Sequence, residues 1–323
     1  MKQGYCFRVL IFIIITSSKK LKILILGYSN LVRRKIINVL KKNDIEFCIA
    51  SLSSKKKEKK SYKWFKNYEE GLNQSNANLV YISLPNSFHY HWAKKALEKG
   101  YHVIVDKPIT ENLKQAKKLI KIAKKNKKLI SEAIVFNYHK QFAEAVKLLN
   151  GVEKIKHVHA NFAIPLPKKN KILMSKKLSG GCLMDSGPYA AAIARLFCNG
   201  KLIRLNKIIR KNKKGLIVSF VILCKFSKTT YSGFFCFGGE YTNNLSLFSH
   251  NKYVELNRVF SAPSDEKLTV LFKTKNILYK KQINKDDTFN NYLREIFKLL
   301  KKKKYNFFYK TILKDSKFRE KLL

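Results

Sequence analysis

The chain has 323 residues, 46% hydrophobic and 12% aromatic, which is length and apolar surface enough for about two domains with their own cores and excludes a disordered chain. Its 67 basic and 21 acidic side chains give a formal charge of +46, with lysine spread through every segment. No basic stripe interleaved with stacking aromatics stands out, which argues against a dedicated nucleic-acid binder and leaves a field that attracts phosphorylated small molecules.

Residues 1–20 form an apolar and basic leader. Its run at 9–15 is at the lower limit for a signal-peptide core and no small-x-small cleavage site follows, so it is left out of the fold argument, as a leader or a start-site extension. From residue 21 strands and helices alternate. Residues 21–26 are continuously apolar apart from Lys22, 27–30 make a turn, and 31–42 have helical spacing. A strand at 46–52 runs into Ser53, Ser54 and a solvated charge run at 55–60. A strand at 77–84 stops at Pro85-Asn86, a helix at 89–99 ends on Gly100, and a strand at 101–105 stops at Asp106-Lys107-Pro108. A helix at 112–126 and a strand at 129–136 complete a pattern that predicts an α/β, doubly wound parallel sheet of Rossmann type over residues 21–137.

After residue 137 the rhythm changes. A helix at 141–149, a strand at 155–164 and a Gly180-Gly181 turn lead to an apolar helix at 187–197. Strands then follow at 216–226, 229–237, 244–248, 253–260, 267–272 and 277–283, before a last helix at 287–301 and a basic tail. This predicts an α+β domain over 138–323 with a large, mostly antiparallel sheet. No run reaches the ~18 apolar residues of a membrane span, and six cysteines without a Cys-x-x-Cys pair indicate reduced thiols in a cytoplasmic protein.

The first turn lies where a glycine-rich loop would present backbone amides to a pyrophosphate. Of three such glycines only Gly27 is present; Ser29 is small enough to replace the second, Asn30 completes the turn, and Val32 holds the third place. Where NAD enzymes carry an acid for the ribose, this chain has Ser51 and Ser53 followed by lysines, a set suited to a 2′-phosphate, so NADP(H) is favoured over NAD(H). By itself a glycine in such a turn is structural as often as functional.

Two further segments, Pro85-Asn86-Ser87-Phe88-His89 and Asp106-Lys107-Pro108, resemble with the first loop the Gfo/Idh/MocA family of oxidoreductases. The resemblance implies cofactor contacts at Pro85, Asn86, His89, Asp106 and Pro108, and a substrate-carbonyl contact at Lys107; Asp106 departs from the family's glutamate. The segment from Gly180 to Tyr189 looks like that family's G-G-x-x-x-D-x-G-x-(H/Y), which implies an acid/base role for Tyr189 and an orienting one for Asp185. Finer likeness, in residues 136–141, 162–165, 237–241 and 258–263, points to the sugar 3-ketoreductase branch, with Tyr138, His139 and Gln141 as substrate contacts.

The implied reaction is hydride transfer between a nicotinamide and the carbonyl of a nucleotide-linked 3-keto-sugar. Lys107 polarises the oxygen and Tyr189 delivers the proton, its phenol pKa lowered by the lysine cation. Two alternatives stay open: an NAD(P)+-dependent dehydrogenase of a free sugar, inositol or dihydrodiol, and a catalytically degenerate cofactor-binding protein, to which the thin glycine loop and Asp106 point. No metal is expected, because no His-Glu-x-x-His or similar cluster occurs. The broad sheet leads us to expect a homo-oligomer, dimer or tetramer.

Overall fold

The computed structural model describes residues 21–52, 62–167 and 172–323; the leader at 1–20 and Ser53 lie outside them. Six parallel strands, β1 (Lys22–Leu26), β2 (Glu46–Ala50), β3 (Trp64–Phe65), β4 (Leu79–Ile82), β5 (His102–Val105) and β6 (Ile130–Glu132), pair in the order β3-β2-β1-β4-β5-β6. The order reverses between β1 and β4, so the loops at their carboxyl ends diverge and leave a crevice. Alternate residues of β1 enter separate cores, Leu24 and Leu26 on one face, Ile23 and Ile25 on the other, which is why the strand is apolar throughout. The first helix opens as a π-helical turn, Val32–Ile36, and continues as α1 (Ile37–Lys42); α2 (Tyr68–Gln74), α3 (Asn86–Glu98) and α4 (Leu113–Lys125) complete the layers. The short β3 and α2 were not predicted.

After α5 (Lys140–Leu148) come β7 (His157–Ile164), α6 (Cys182–Phe197), β8 (Leu202–Lys211), β9 (Ile217–Phe226), β10 (Thr230–Phe237), β11 (Thr242–Phe248), β12 (Lys252–Asn257), β13 (Leu268–Thr274) and β14 (Ile277–Ile283). They form an eight-stranded sheet, β14-β13-β12-β11-β7-β10-β9-β8, antiparallel except for the central pair β7 and β10. Its inner face packs on α5 and α6. Its outer face carries exposed Ile208, Val221 and Phe234 side by side across β8, β9 and β10.

Three expectations need correction. The apolar helix starts at Cys182 rather than 187 and runs through Pro188, which places Asp185 and Tyr189 on one helix. The strand predicted at 253–260 ends at Asn257, because Arg258 takes a left-handed turn at φ 55°. The basic tail is a helix, α8 (Asn306–Glu320), which with α7 (Thr288–Lys301) returns to the first sheet and buries Tyr292, Leu293, Ile296, Phe308, Tyr309 and Ile312 against it.

Candidate active site

A cleft of about 570 Å³ lies between the loops after β1, β4 and β5 and, facing them, α6, the turn after β12 and the start of α7. On the first loop Gly27 has φ +96° and its amide donates to the Ala50 carbonyl at 2.8 Å. A Cβ there would sit 2.2 Å from the Ser83 carbonyl oxygen, so no larger residue fits. Ser29 Oγ accepts from the Val32 amide at 3.1 Å and lies 2.8 Å from Ser83 Oγ. The amides of Asn30 and Leu31, ahead of that cap, have no acceptor among the described residues. Unpaired donors at a helix N-terminus are the set a dinucleotide pyrophosphate requires, so the loop fits that group despite its missing glycines. Val32 fills the third glycine's place as a fully buried side chain in the π-helical turn. Ser51 is buried at the end of β2. Arg33 stands 5.6 Å over the ring of Tyr28, which meets Trp64 of β3, the strand paired with β2, edge-on at 5.1 Å.

Asp106 turns into the sheet, where it accepts from the Tyr81 hydroxyl at 2.6 Å and from Ser83 Oγ. Burial raises its carboxyl above the usual range, with the two hydroxyl donors opposing. A relay of side chains thus links Ser29 of the first loop, through Ser83, to the residue preceding Lys107. His89 is fully buried on α3, its ring nitrogens 2.7 Å from the Pro108 carbonyl oxygen and 2.8 Å from that of Leu84. Whichever nitrogen carries the proton donates to one of these carbonyls and the ring packs against the other, so His89 ties the two loops together at the base of the cleft. Pro85 caps α3, and Asn86 Nδ2 donates to the Ser179 carbonyl at 2.8 Å, reaching across to the second half of the chain.

Lys107 crosses the cleft. Its ammonium donates to the Asp185 carbonyl at 2.8 Å, forms an ion pair with the Asp185 carboxylate, and lies 4.7 Å from the centre of the Tyr189 ring. Both partners of the pair are mostly shielded, at 19% and 17% side-chain exposure. Burial disfavours the ammonium, but the negative charge of Asp185, aided by Tyr189 and Asp106, outweighs it and holds Lys107 above its usual range. Asp185 and Tyr189 lie one turn apart on α6, so their side chains share the face turned to Lys107. The Tyr189 ring stacks on Phe260 at 4.9 Å and meets Phe136 and Phe162 edge-on. That packing reverses one expectation: desolvation raises the phenol above its ordinary value, and the nearby lysine cation offsets this only in part.

Tyr138, His139 and Gln141 do not reach the cleft. The 3-10 turn Phe136–Tyr138 aims Phe136 at it and carries the following residues away. Tyr138 packs edge-on against Tyr292 at 5.3 Å, His139 Nδ1 caps α5 by accepting from the Gln141 amide at 3.2 Å, and Gln141 is fully buried. The cleft is lined instead by Lys35, Arg258, Ser261, Ser264 and Asp287. Arg258 and Ser261 belong to a segment that carried the finer resemblance; Lys35, four residues beyond Leu31 on the same helix face, had only its spacing to mark it. Among the described residues no three metal-ligating side chains cluster, and no helix is long and apolar enough to cross a membrane.

Residues 21–134 match the Gfo/Idh/MocA profile, described as an oxidoreductase family with an NAD-binding Rossmann fold. The dTDP-3,4-didehydro-2,6-dideoxy-alpha-D-glucose 3-reductase of Actinomadura kijaniata is 28% identical over 201 residues, 61% of this chain and 60% of the relative, so the chain covers less than two thirds of its length. D-xylose 1-dehydrogenase (NADP(+)) 2 of Haloferax volcanii is 31% identical over 132 residues, 40% of this chain and 41% of that protein. A solved 3-ketoreductase from Actinomadura kijaniata in complex with NADP and TDP-benzene has a TM-score of 0.86 at 22% identity, covering 92% of this chain and 95% of the other. An aldose-aldose oxidoreductase from Caulobacter crescentus complexed with glycerol reaches 0.83 at 17% identity, covering 94% and 96%. These structures share the whole two-sheet fold.

Proposed function

We propose, because residues 21–134 match the Gfo/Idh/MocA oxidoreductase family, that this chain reduces the keto group of a nucleotide-linked sugar with NADPH, Lys107 and Tyr189 being the reacting pair. The observation that carries this reading is the meeting of Lys107, from the loop after β5, with Asp185 and Tyr189 of α6 on the wall of one cleft. When bound, a reduced nicotinamide supplies a hydride. Asp185 takes two of the three N–H groups of the ammonium, and the third is available to the ketone oxygen, where it stabilises the charge that develops. The Tyr189 phenol, kept protonated by burial, donates to that oxygen, and the Lys107 cation beside it stabilises the phenolate left behind. Phe136 and Phe260 shield the reacting atoms from water.

Arg258 favours a phosphorylated substrate. It lines the cleft with no carboxylate partner among the described residues, stacks 5.5 Å over Tyr241, and occupies a left-handed conformation that costs a non-glycine residue ~1 kcal/mol or more. The surrounding structure holds this turn: the Asn243 side chain accepts from the Phe260 amide at 2.9 Å and donates to Ser261 Oγ at 2.8 Å. Arg33, exposed over the ring of Tyr28 on the first loop, supports the preference for NADPH by offering a cation to a 2′-phosphate. We also place a second copy of the chain on the row Ile208, Val221 and Phe234, and the protein in a reducing cytoplasm, where its described cysteines stay free.

The test is titration with NADPH and NADH by nicotinamide fluorescence, followed by turnover of dTDP-3,4-didehydro-2,6-dideoxy-α-D-glucose. Saturable, preferential NADPH binding and consumption of the keto-sugar are expected. Oxidation of D-xylose by NADP+ without keto-sugar reduction would establish the dehydrogenase reading instead, and binding of neither dinucleotide would leave a non-catalytic protein. Light scattering after size exclusion reads the second copy; a monomer would refute it.

A further inference from the structure

The last helix, α8, lies outside the cleft yet touches both halves of the site from behind. Arg319 and Glu132 are each more than nine-tenths buried. Glu132, at the end of β6, accepts from the Ile109 amide at 2.9 Å, and Arg319 Nη1 donates to the Thr110 carbonyl at 3.2 Å while standing 4.0 Å from the Glu132 carboxylate. The two residues that follow Lys107-Pro108 are therefore held by a buried acid and a buried cation. One turn earlier on α8, Asp315 accepts from Arg195 Nε at 2.8 Å, and Arg195 belongs to α6, the helix that carries Asp185 and Tyr189.

From this arrangement we infer that Arg319 and Asp315 are positioning residues. Through Arg319 the helix fixes the Lys107 loop, through Asp315 it fixes α6, and so it sets where the Lys107 ammonium stands relative to Asp185 and Tyr189. Apolar side chains would pack α8 equally well, because a buried ion pair adds little net stability over well-packed hydrophobic residues. What the charged pairs supply, and packing alone does not, is a defined register between the Lys107 loop and α6, which face each other across the cleft. Neither residue touches substrate or cofactor; both act through backbone and helix position. The inference rests on the reading of Lys107 and Tyr189 as the reacting pair.

The test uses Arg319→Met in the full chain, read by hydrogen–deuterium exchange and by turnover of the dTDP-linked keto-sugar, alone and combined with Lys107→Ala. Faster exchange at residues 106–112 is expected, with NADPH binding and KM little changed. Misplacement of a reacting group by about an ångström should lower kcat roughly 10- to 100-fold. Because the loss runs through Lys107, adding Arg319→Met to Lys107→Ala should cost no further turnover. Arg319→Lys should recover part of the lost rate. Should Arg319→Met fail to fold, Asp315→Asn tests the other arm, with faster exchange expected at residues 182–189 and not at 106–112. Unchanged exchange at these segments, or an equal loss of kcat with and without Lys107, overturns the inference. Full turnover of Lys107→Ala alone sinks the reading of Lys107 and this inference with it, and that outcome is recognisable because it needs no change at Arg319.

Discussion

Tyr189→Phe isolates the proton transfer from everything else that Tyr189 does. The ring is fixed by stacking on Phe260 and by edge contacts to Phe136 and Phe162, and phenylalanine keeps all of them. Its face also remains available to the Lys107 ammonium, which lies 4.7 Å from the ring centre, so the lysine is expected to stay in place. The phenol is hydrogen-bonded to the Lys107 ammonium, which keeps its two contacts to Asp185 when the hydroxyl is removed, so stability should change by no more than about 1 kcal/mol. Loss of a positioned proton donor should lower kcat by ~10²- to 10⁴-fold, equivalent to ~2.7–5.4 kcal/mol of transition-state stabilisation at ~1.36 kcal/mol per tenfold. Single-turnover oxidation of NADPH by the dTDP-linked keto-sugar, followed by nicotinamide absorbance, measures this loss, and dinucleotide titration checks that binding is retained. A correctly folded Phe variant with wild-type turnover would refute the assignment.

The pH profile follows from the same geometry. Burial raises Tyr189 above its ordinary value of 10.0 and the Asp185 pair raises Lys107 above 10.5, so both donors keep their protons through neutral pH. Reduction should therefore be flat there and fall only above about pH 10; a decline that starts near neutrality would contradict it. Arg33→Ala should weaken NADPH binding roughly 10-fold while leaving NADH unchanged, since one charge-assisted contact to a 2′-phosphate is lost; equal effects on both dinucleotides would remove Arg33 from that role. Arg258→Ala should raise KM for the dTDP-linked sugar about 10-fold at constant kcat and flatten its salt dependence, and an unchanged KM would show that the diphosphate lies elsewhere.

Much of the first sheet is legible in the chain because β1, β4 and β5 are buried on both faces and their apolar runs have nothing to interrupt them. The edge strand β8 is illegible for the opposite reason: in Leu202–Lys211 no residue is buried, and its lysines and arginines mask the alternation on which strand recognition depends. The helix α8 hides in another way. It is clasped between the first sheet and α6, so its buried positions include Asp315, Ser316 and Arg319, which read as surface when only the sequence is known. At the site, Lys107, Asp185 and Tyr189 are adjacent to proline and glycine landmarks and could be found; Tyr81 in β4 and Ser83 just after it, which hold Asp106, have no such mark. Tyr138, His139 and Gln141 carried a plausible motif, but one 3-10 turn faces them inward, and no spacing rule foretells that.

The scarcity of acids sharpens the meaning of where they are. In a chain with 67 basic and 21 acidic side chains, most cations have no carboxylate to meet. Yet among the described residues the fold buries three acids, Glu132, Asp286 and Asp315, and half-buries Asp106, Asp185 and Asp287 at the cleft. Glu132 and Asp315 hold the Lys107 loop and α6; Asp286 accepts from the Lys140 amide at 2.8 Å and from Asn291 Nδ2 at 2.9 Å, joining α5 to the start of α7. Interior negative charge is thus used to align the elements around the cleft, while the uncompensated positive charge stays outside as a long-range field. Such a field accelerates the approach of a dianionic substrate and is screened by salt. Rising ionic strength should therefore depress kcat/KM while kcat, set by groups already paired inside the cleft, holds constant, and a parallel fall of both would mean that salt acts on the Lys107–Asp185 pair itself.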